Sequence, residues 1–141
     1  LILYAILYGD KLLRLLPLVA VLLLFLSCDS ATSVQGGNIN KPLTYNDPND
    51  YEFVLNARGY SSTKFDTLDF SGSRNRLNLL VTPYLGGAAS FRILDTNGIN
   101  IFVDTVSAGE LEVNTILNGV PGFIDMQFLQ ISGQISVTLK Q

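Results

Sequence analysis

From Tyr51 to the C-terminus, apolar and polar side chains take turns along the chain. Tyr51, Phe53, Leu55 and Ala57 alternate with Glu52 and Asn56, and Leu77, Leu79 and Val81 alternate with Asn78 and Thr82. The same period runs through 89–93, 101–103, 111–115, 124–128 and 135–139, with 65–70 a weaker copy that reads as an edge or bulged strand. A period of two predicts strands with one face buried and one wet. No segment after Ser27 keeps a 3.6-residue period for ten residues. Turn residues punctuate the runs at Ser71-Gly72-Ser73, Gly86-Gly87, Asn97-Gly98, Ala108-Gly109, Asn118-Gly119 and Ser132-Gly133. Asn97-Gly98 is the sharpest of these, because a type I′ hairpin needs positive φ at both central residues. About eight short strands at this spacing predict an all-β domain, an antiparallel β-sandwich spanning 51–141.

The first 27 residues follow another pattern. Leu15 to Leu26 is an apolar run of twelve without a charge, and Lys11 and Arg14 stand just before it. A basic start, a short apolar centre and a small residue at its end predict a helical secretory signal over 1–27. Twelve residues of helix fall short of ~30 Å of hydrocarbon. An uncut N-terminal anchor, making the chain a membrane-anchored subunit of an envelope complex, is the alternative, since Leu1 to Tyr8 would lengthen the run across Gly9-Asp10-Lys11. The chain begins with Leu and its only Met is Met126, so it is expected to be a fragment or a reading frame extended upstream of the true start; with a start near Lys11, residues 1–10 are an extension without function.

Phe25-Leu26-Ser27-Cys28 closes the apolar run and resembles the lipobox of bacterial lipoprotein precursors. Ser27 and Cys28 match that motif, while Phe25 and Leu26 depart from its usual Leu and small residue. The resemblance covers residues 11–28 and implies a diacylglycerol on the Cys28 thiol, cleavage before Cys28, and a protein held to a bacterial membrane of the cell envelope. One acyl chain binds membranes only marginally and two or three bind stably, which is the physical use of such a modification. A lone Cys elsewhere in a chain is commonly a small buried hydrophobe; directly after a charge-free apolar run, lipidation is the expected role. Residues 28–50 then form the lipidated Cys and a linker rich in Ser, Thr, Asn, Gly, Asp and Pro, with an expected reach of about 25 Å. The stretch Asn75 to Val103 faintly resembles small β-sandwich modules of secreted bacterial proteins, the pre-peptidase C-terminal domains among them, which implies fold class only.

Composition narrows the chemistry. The chain has no His, no Trp and one Cys, and its net charge is −3. Histidine acid/base catalysis, multi-cysteine zinc sites and intrachain disulfides are thereby removed. An acidic chain without basic clusters does not neutralise phosphates, so nucleic acid is not an expected partner. Asp47, Asn49, Asp50 and Glu52 gather oxygen ligands near the predicted start of the domain and are a weak calcium candidate, against an Asx-rich turn with Pro48 fixing φ. Asp66 and Asp69 would point to opposite faces of a strand, which does not suit a glycosidase pair. Ser61, Ser62 and Ser71 have no His to form a triad. Tyr51, Tyr60 and Tyr84 suit sugar faces as rings with a polar tip, but Tyr51 fits a core position and Tyr84 a strand end, so Tyr60 is the one glycan candidate.

The sequence therefore predicts a cell-envelope lipoprotein whose small β-sandwich acts without catalysis, cofactor or metal as a binding or structural surface module. Its expected partners are the membrane, through lipid on Cys28, and an envelope protein or glycan. A glycan- or calcium-binding module is the alternative reading.

Overall fold

The computed structural model describes residues 38–141. Over these residues the chain is all-β and antiparallel, as the period of two predicts. Six strands form one sheet: β1 Leu43–Asp47, β2 Asp50–Thr67, β3 Arg74–Asp95, β4 Asn100–Val106, β5 Leu111–Asn118 and β6 Pro121–Lys140. Their order is β1-β2-β6-β3-β4, with β5 beside β4 along the same edge of β3.

Eight separate strands are not what forms. β3 joins the runs at 77–81 and 89–93, β6 joins those at 124–128 and 135–139, and β2 extends from Asp50 through Phe65. Gly86-Gly87 and Ser132-Gly133 lie inside strands rather than in turns between them. Glycine reaches positive φ at little steric cost, so a strand can bend there while its neighbours continue to pair with it. Gly86 and Gly87 have φ of 140° and 88°, Gly133 has 142°, and the register shifts at the same level in β2.

The bends fold the sheet onto itself. Tyr51 and Asp66 both belong to β2, where fifteen residues of straight strand would hold them about 50 Å apart. The Tyr51 hydroxyl instead donates to Asp66 Oδ2 across 2.7 Å. Phe53 stacks on Phe128 of the opposing half, ring centroids 5.8 Å apart and planes within 11°. Counted by halves, the strands run β1, β2, β6, β3, β5 on one side of the bend and β2, β6, β3, β4 on the other. Without β1, that is the connectivity of a jelly roll.

Register supplies the core. Tyr51, Leu139 and Leu77 share one row across three strands; Phe53, Val137 and Leu79 share the next; Leu55, Ile135 and Val81 the third. Every one of the nine is at most 1% exposed. On the other half Phe91 and Met126, and Ile93 and Ile124, are opposite and buried. At the open end, Asn75 is wholly buried and donates from Nδ2 to Gly72 O and Gly119 O, tying together the two loops that cross between the halves.

Two further expectations change. The strand-rich part begins before Tyr51, because β1 lies at Leu43–Asp47, within the stretch read as linker. All five β1 residues are exposed, so no alternation marks it. The Asn97-Gly98 turn is not type I′, since only Gly98, at φ 79°, takes positive φ. Asp95 organises it instead: its Oδ1 accepts from the backbone N–H of Asn97 and Ile99, 2.8 Å each. Those bonds, the one from Ile99 foremost, lower the Asp95 carboxyl pKa.

A Cβ at Gly133 would stand 2.2 Å from Pro83 O, and one at Gly87 the same distance from Gln130 O. Neither obstacle is a movable side chain. Gly87→Ala and Gly133→Ala should each cost on the order of 3 kcal/mol, from strained φ plus overlap. Chemical denaturation should show it as a lower midpoint at unchanged slope.

Candidate functional site

Alternation also decides what faces out. On the half built from β2, β6, β3 and β4, Thr63, Gln127, Ser90 and Thr105 fall in one register row across the four strands. They line a shallow depression of about 380 Å³, with Ala88 and Leu129 toward the bend. None of the four side chains makes a hydrogen bond to another described residue. Among the described residues, their hydroxyl and amide groups have no partner.

The next row outward is Phe65, Asp125, Arg92 and Val103. Phe65 is 59% exposed and is held by Phe123, the two ring centroids 5.5 Å apart and the planes 24° from parallel. The Asp125 side chain faces outward on β6 yet is only 7% exposed. Arg92, opposite it on β3, donates to Asp125 Oδ2 from both Nε and Nη2. Asp125 Oδ1 is buried and has no donor. Burying a carboxylate is costly unless it is paired, and Arg92 is its pair. Arg92 is 42% exposed, so water screens the pair from its side. The two charges cancel, and the face they sit on is locally neutral.

Phe65 arises from an inverted phase in β2. Over 63–67 the charged Lys64 and Asp66 point into the fold, opposite Met126 and Ile124, while Phe65 points out. Lys64 Nζ lies 3.0 Å from Asp66, and Tyr51 adds its hydroxyl. The inward carboxylate is thus fully occupied at the closing edge. Asp69 is exposed beyond the strand, so Asp66 and Asp69 share no pocket. Asp66 is a bonded, partly buried group.

The residues singled out from sequence lie elsewhere. Cys28 is outside the described residues. Asp47 and Asp50 pair across the Pro48-Asn49 turn that joins β1 to β2. Asp47 accepts from the Tyr45 hydroxyl, Asp50 pairs with Lys140 Nζ at 3.1 Å, and Glu52 sits in register between Tyr45 and Thr138. Asn49 Oδ1 accepts from the Ser71 N–H at 2.9 Å and the Ser71 hydroxyl at 3.3 Å, fastening the turn to a crossing loop. Among the described residues no three Asp, Glu, Cys or His side chains converge as a metal site would require. Tyr60 is half-buried with its ring tilted against Phe128, 5.7 Å between centroids. The Tyr84 hydroxyl donates to Gly87 O within the bend. Tyr51 lies in the core, so the three tyrosines form no common platform.

No protein-family model matches the sequence, and no curated protein matches it. Solved structures with some likeness include a chain of Bacillus endospore appendages, which form disulfide-linked pili. It is 10% identical, the match covers 77% of this chain and 96% of that one, and the TM-score is 0.43. The CBM1 chain of BiXyn10A in its apo form is 13% identical over 76% of this chain and 92% of its own, at 0.37. VP2 of an infectious bursal disease virus subviral particle is 12% identical over 70% of this chain and 32% of its own, at 0.35. At scores below 0.5 these likenesses carry no functional weight.

Burial, and then the bond to Asp66, raise the Tyr51 hydroxyl pKa far above its ordinary value of 10.0. A group whose folded pKa is raised gives stability that is whole below its unfolded pKa and is lost as pH climbs past it. Above pH 10, stability should fall by about 1.4 kcal/mol per pH unit from this group alone. Denaturation at pH 9 to 11 should show that extra alkaline slope in the native chain and its absence in Tyr51→Phe.

Proposed function

We propose that this protein is a non-catalytic binding module of the bacterial cell envelope, held to a membrane by lipid on Cys28. It works through the outer face of β2, β6, β3 and β4. The observation that carries the reading is that face. It combines a depression lined by four unengaged polar side chains with an exposed, braced aromatic ring and a self-neutralised ion pair. Concavity with a few convergent polar groups is the usual form of a ligand site.

The non-catalytic part rests on chemistry. The chain has no His, and the Asp66 carboxylate is occupied by Lys64 and Tyr51. The anchoring part rests on the lipobox-like Phe25-Leu26-Ser27-Cys28 after a charge-free apolar run. A modestly acidic module, with seven basic and eleven acidic side chains from Cys28 onward, suits solubility next to an anionic membrane.

Two measurements test the reading separately. Cys28→Ser should abolish acyl-chain labelling in cells and leave an unprocessed precursor; unchanged labelling would refute the anchor. A photo-crosslinking residue in place of Thr105 should capture an envelope component, whereas the same residue in place of Asn114, on β5 of the other half, should not. Equal capture at both positions, or none at Thr105, would refute the face.

A further inference from the structure

The ligand class can be read from the lining of the same face, and this step rests on the binding reading above. We infer that the outer face of β2, β6, β3 and β4 binds a neutral, hydroxyl-rich ligand, a glycan chain, with Phe65 as its stacking platform. Charge complementarity selects the class. The row at the depression, Thr63, Gln127, Ser90 and Thr105, carries no charge, and the two charges beside it cancel in the Arg92–Asp125 pair. An anionic headgroup, nucleic acid or acidic polymer finds no net positive charge there to offset its desolvation. An uncharged ligand meets no such penalty, and each of the four side chains offers it hydrogen bonds: three hydroxyls that donate and accept, and one amide that does both.

Spacing favours the same class. Phe65 follows Thr63 by two residues on one face, which sets the ring about 6.6 Å along the strand from the polar row. A sugar ring lying on Phe65 keeps its hydroxyls within reach of that row. The row crosses four strands at about 4.8 Å each, roughly 14 Å in all, so it extends beyond a single ring. The 5.5 Å stack on Phe123 braces Phe65 in place, which lowers the ordering needed on binding. Arg92, one row outward, uses only Nε and Nη2 toward Asp125, so Nη1 has no partner among the described residues. Tyr60, the glycan candidate of the sequence, has its ring against Phe128 and is not part of this surface.

The test is calorimetric titration of the full chain, in a detergent without a sugar headgroup, with neutral gluco-, manno-, galacto- and xylo-oligosaccharides and with uronate oligomers. At least one neutral series should bind with Kd below about 1 mM. Phe65→Ala should weaken that binding about tenfold or more and Gln127→Ala severalfold, while Tyr60→Ala leaves it unchanged. All three variants should keep the β-type circular dichroism of the native chain. The inference is overturned by failure of every neutral series to bind, by preference for uronates, by binding indifferent to Phe65→Ala and Gln127→Ala, or by self-association that Phe65→Ala abolishes. Capture of a protein at Thr105 together with no sugar binding would leave the face as a binding surface and remove the glycan.

Discussion

Everything in this fold depends on three long strands turning a corner without letting go of one another. β2, β6 and β3 stay paired on both sides of the bend, and at the bend the backbones of β3 and β6 approach so closely that Gly87 and Gly133 have no room for a Cβ. A bend placed there brings the start of β2 back over its own end, so Tyr51 reaches Asp66 and Phe53 meets Phe128. The core is therefore a consequence of the corner. Without it the same register rows would lie on an open sheet with a long apolar face in water, which a chain of this size does not sustain.

Once the halves close, each strand has one committed face and one free face. The committed faces meet the hydrophobic requirement, and the open end is secured by polar contacts: Asn75 between two crossing loops, Asn49 on Ser71, Lys64 and Tyr51 on Asp66. The outer face of β2, β6, β3 and β4 is left with little structural duty, and the side chains on it are not those that stability demands. Phe65 stands in water, while Lys64 and Asp66 on either side of it turn inward. Exposed Phe65 and Val103, on either side of the Arg92–Asp125 pair, break the inside-apolar, outside-polar rule twice within one row. Such local departures concentrate where a surface has a second task.

The alternation made the strands legible because each core row repeats every second residue: Tyr51, Phe53 and Leu55 are buried, and so are Leu77, Leu79 and Val81. What alternation does not carry is register. Nothing in the sequence says that Thr63, Gln127, Ser90 and Thr105, far apart along the chain, share one row, and the proposed binding face consists of that row and its neighbour. Nor does it separate a glycine that ends a strand from one that bends it, so Gly86-Gly87 and Ser132-Gly133 read as turns. β1 left no trace because both its faces are wet. The stretch 65–70 read as a weak strand because its phase is inverted: Asp66 turns inward with Lys64 to meet Tyr51, which leaves Phe65 outside.

The division of labour between the two faces sets how the protein can change. Phe65, Gln127 and Thr105 belong to neither the corner nor the core rows, so exchanges there come at small expense in stability. Arg92 and Asp125 are different, because removing the guanidinium would leave a sheltered carboxylate without its cation. That pair couples the face to the fold. It holds the middle of the surface fixed and neutral while the residues around it are free to vary, so the scaffold is kept whatever that surface recognises.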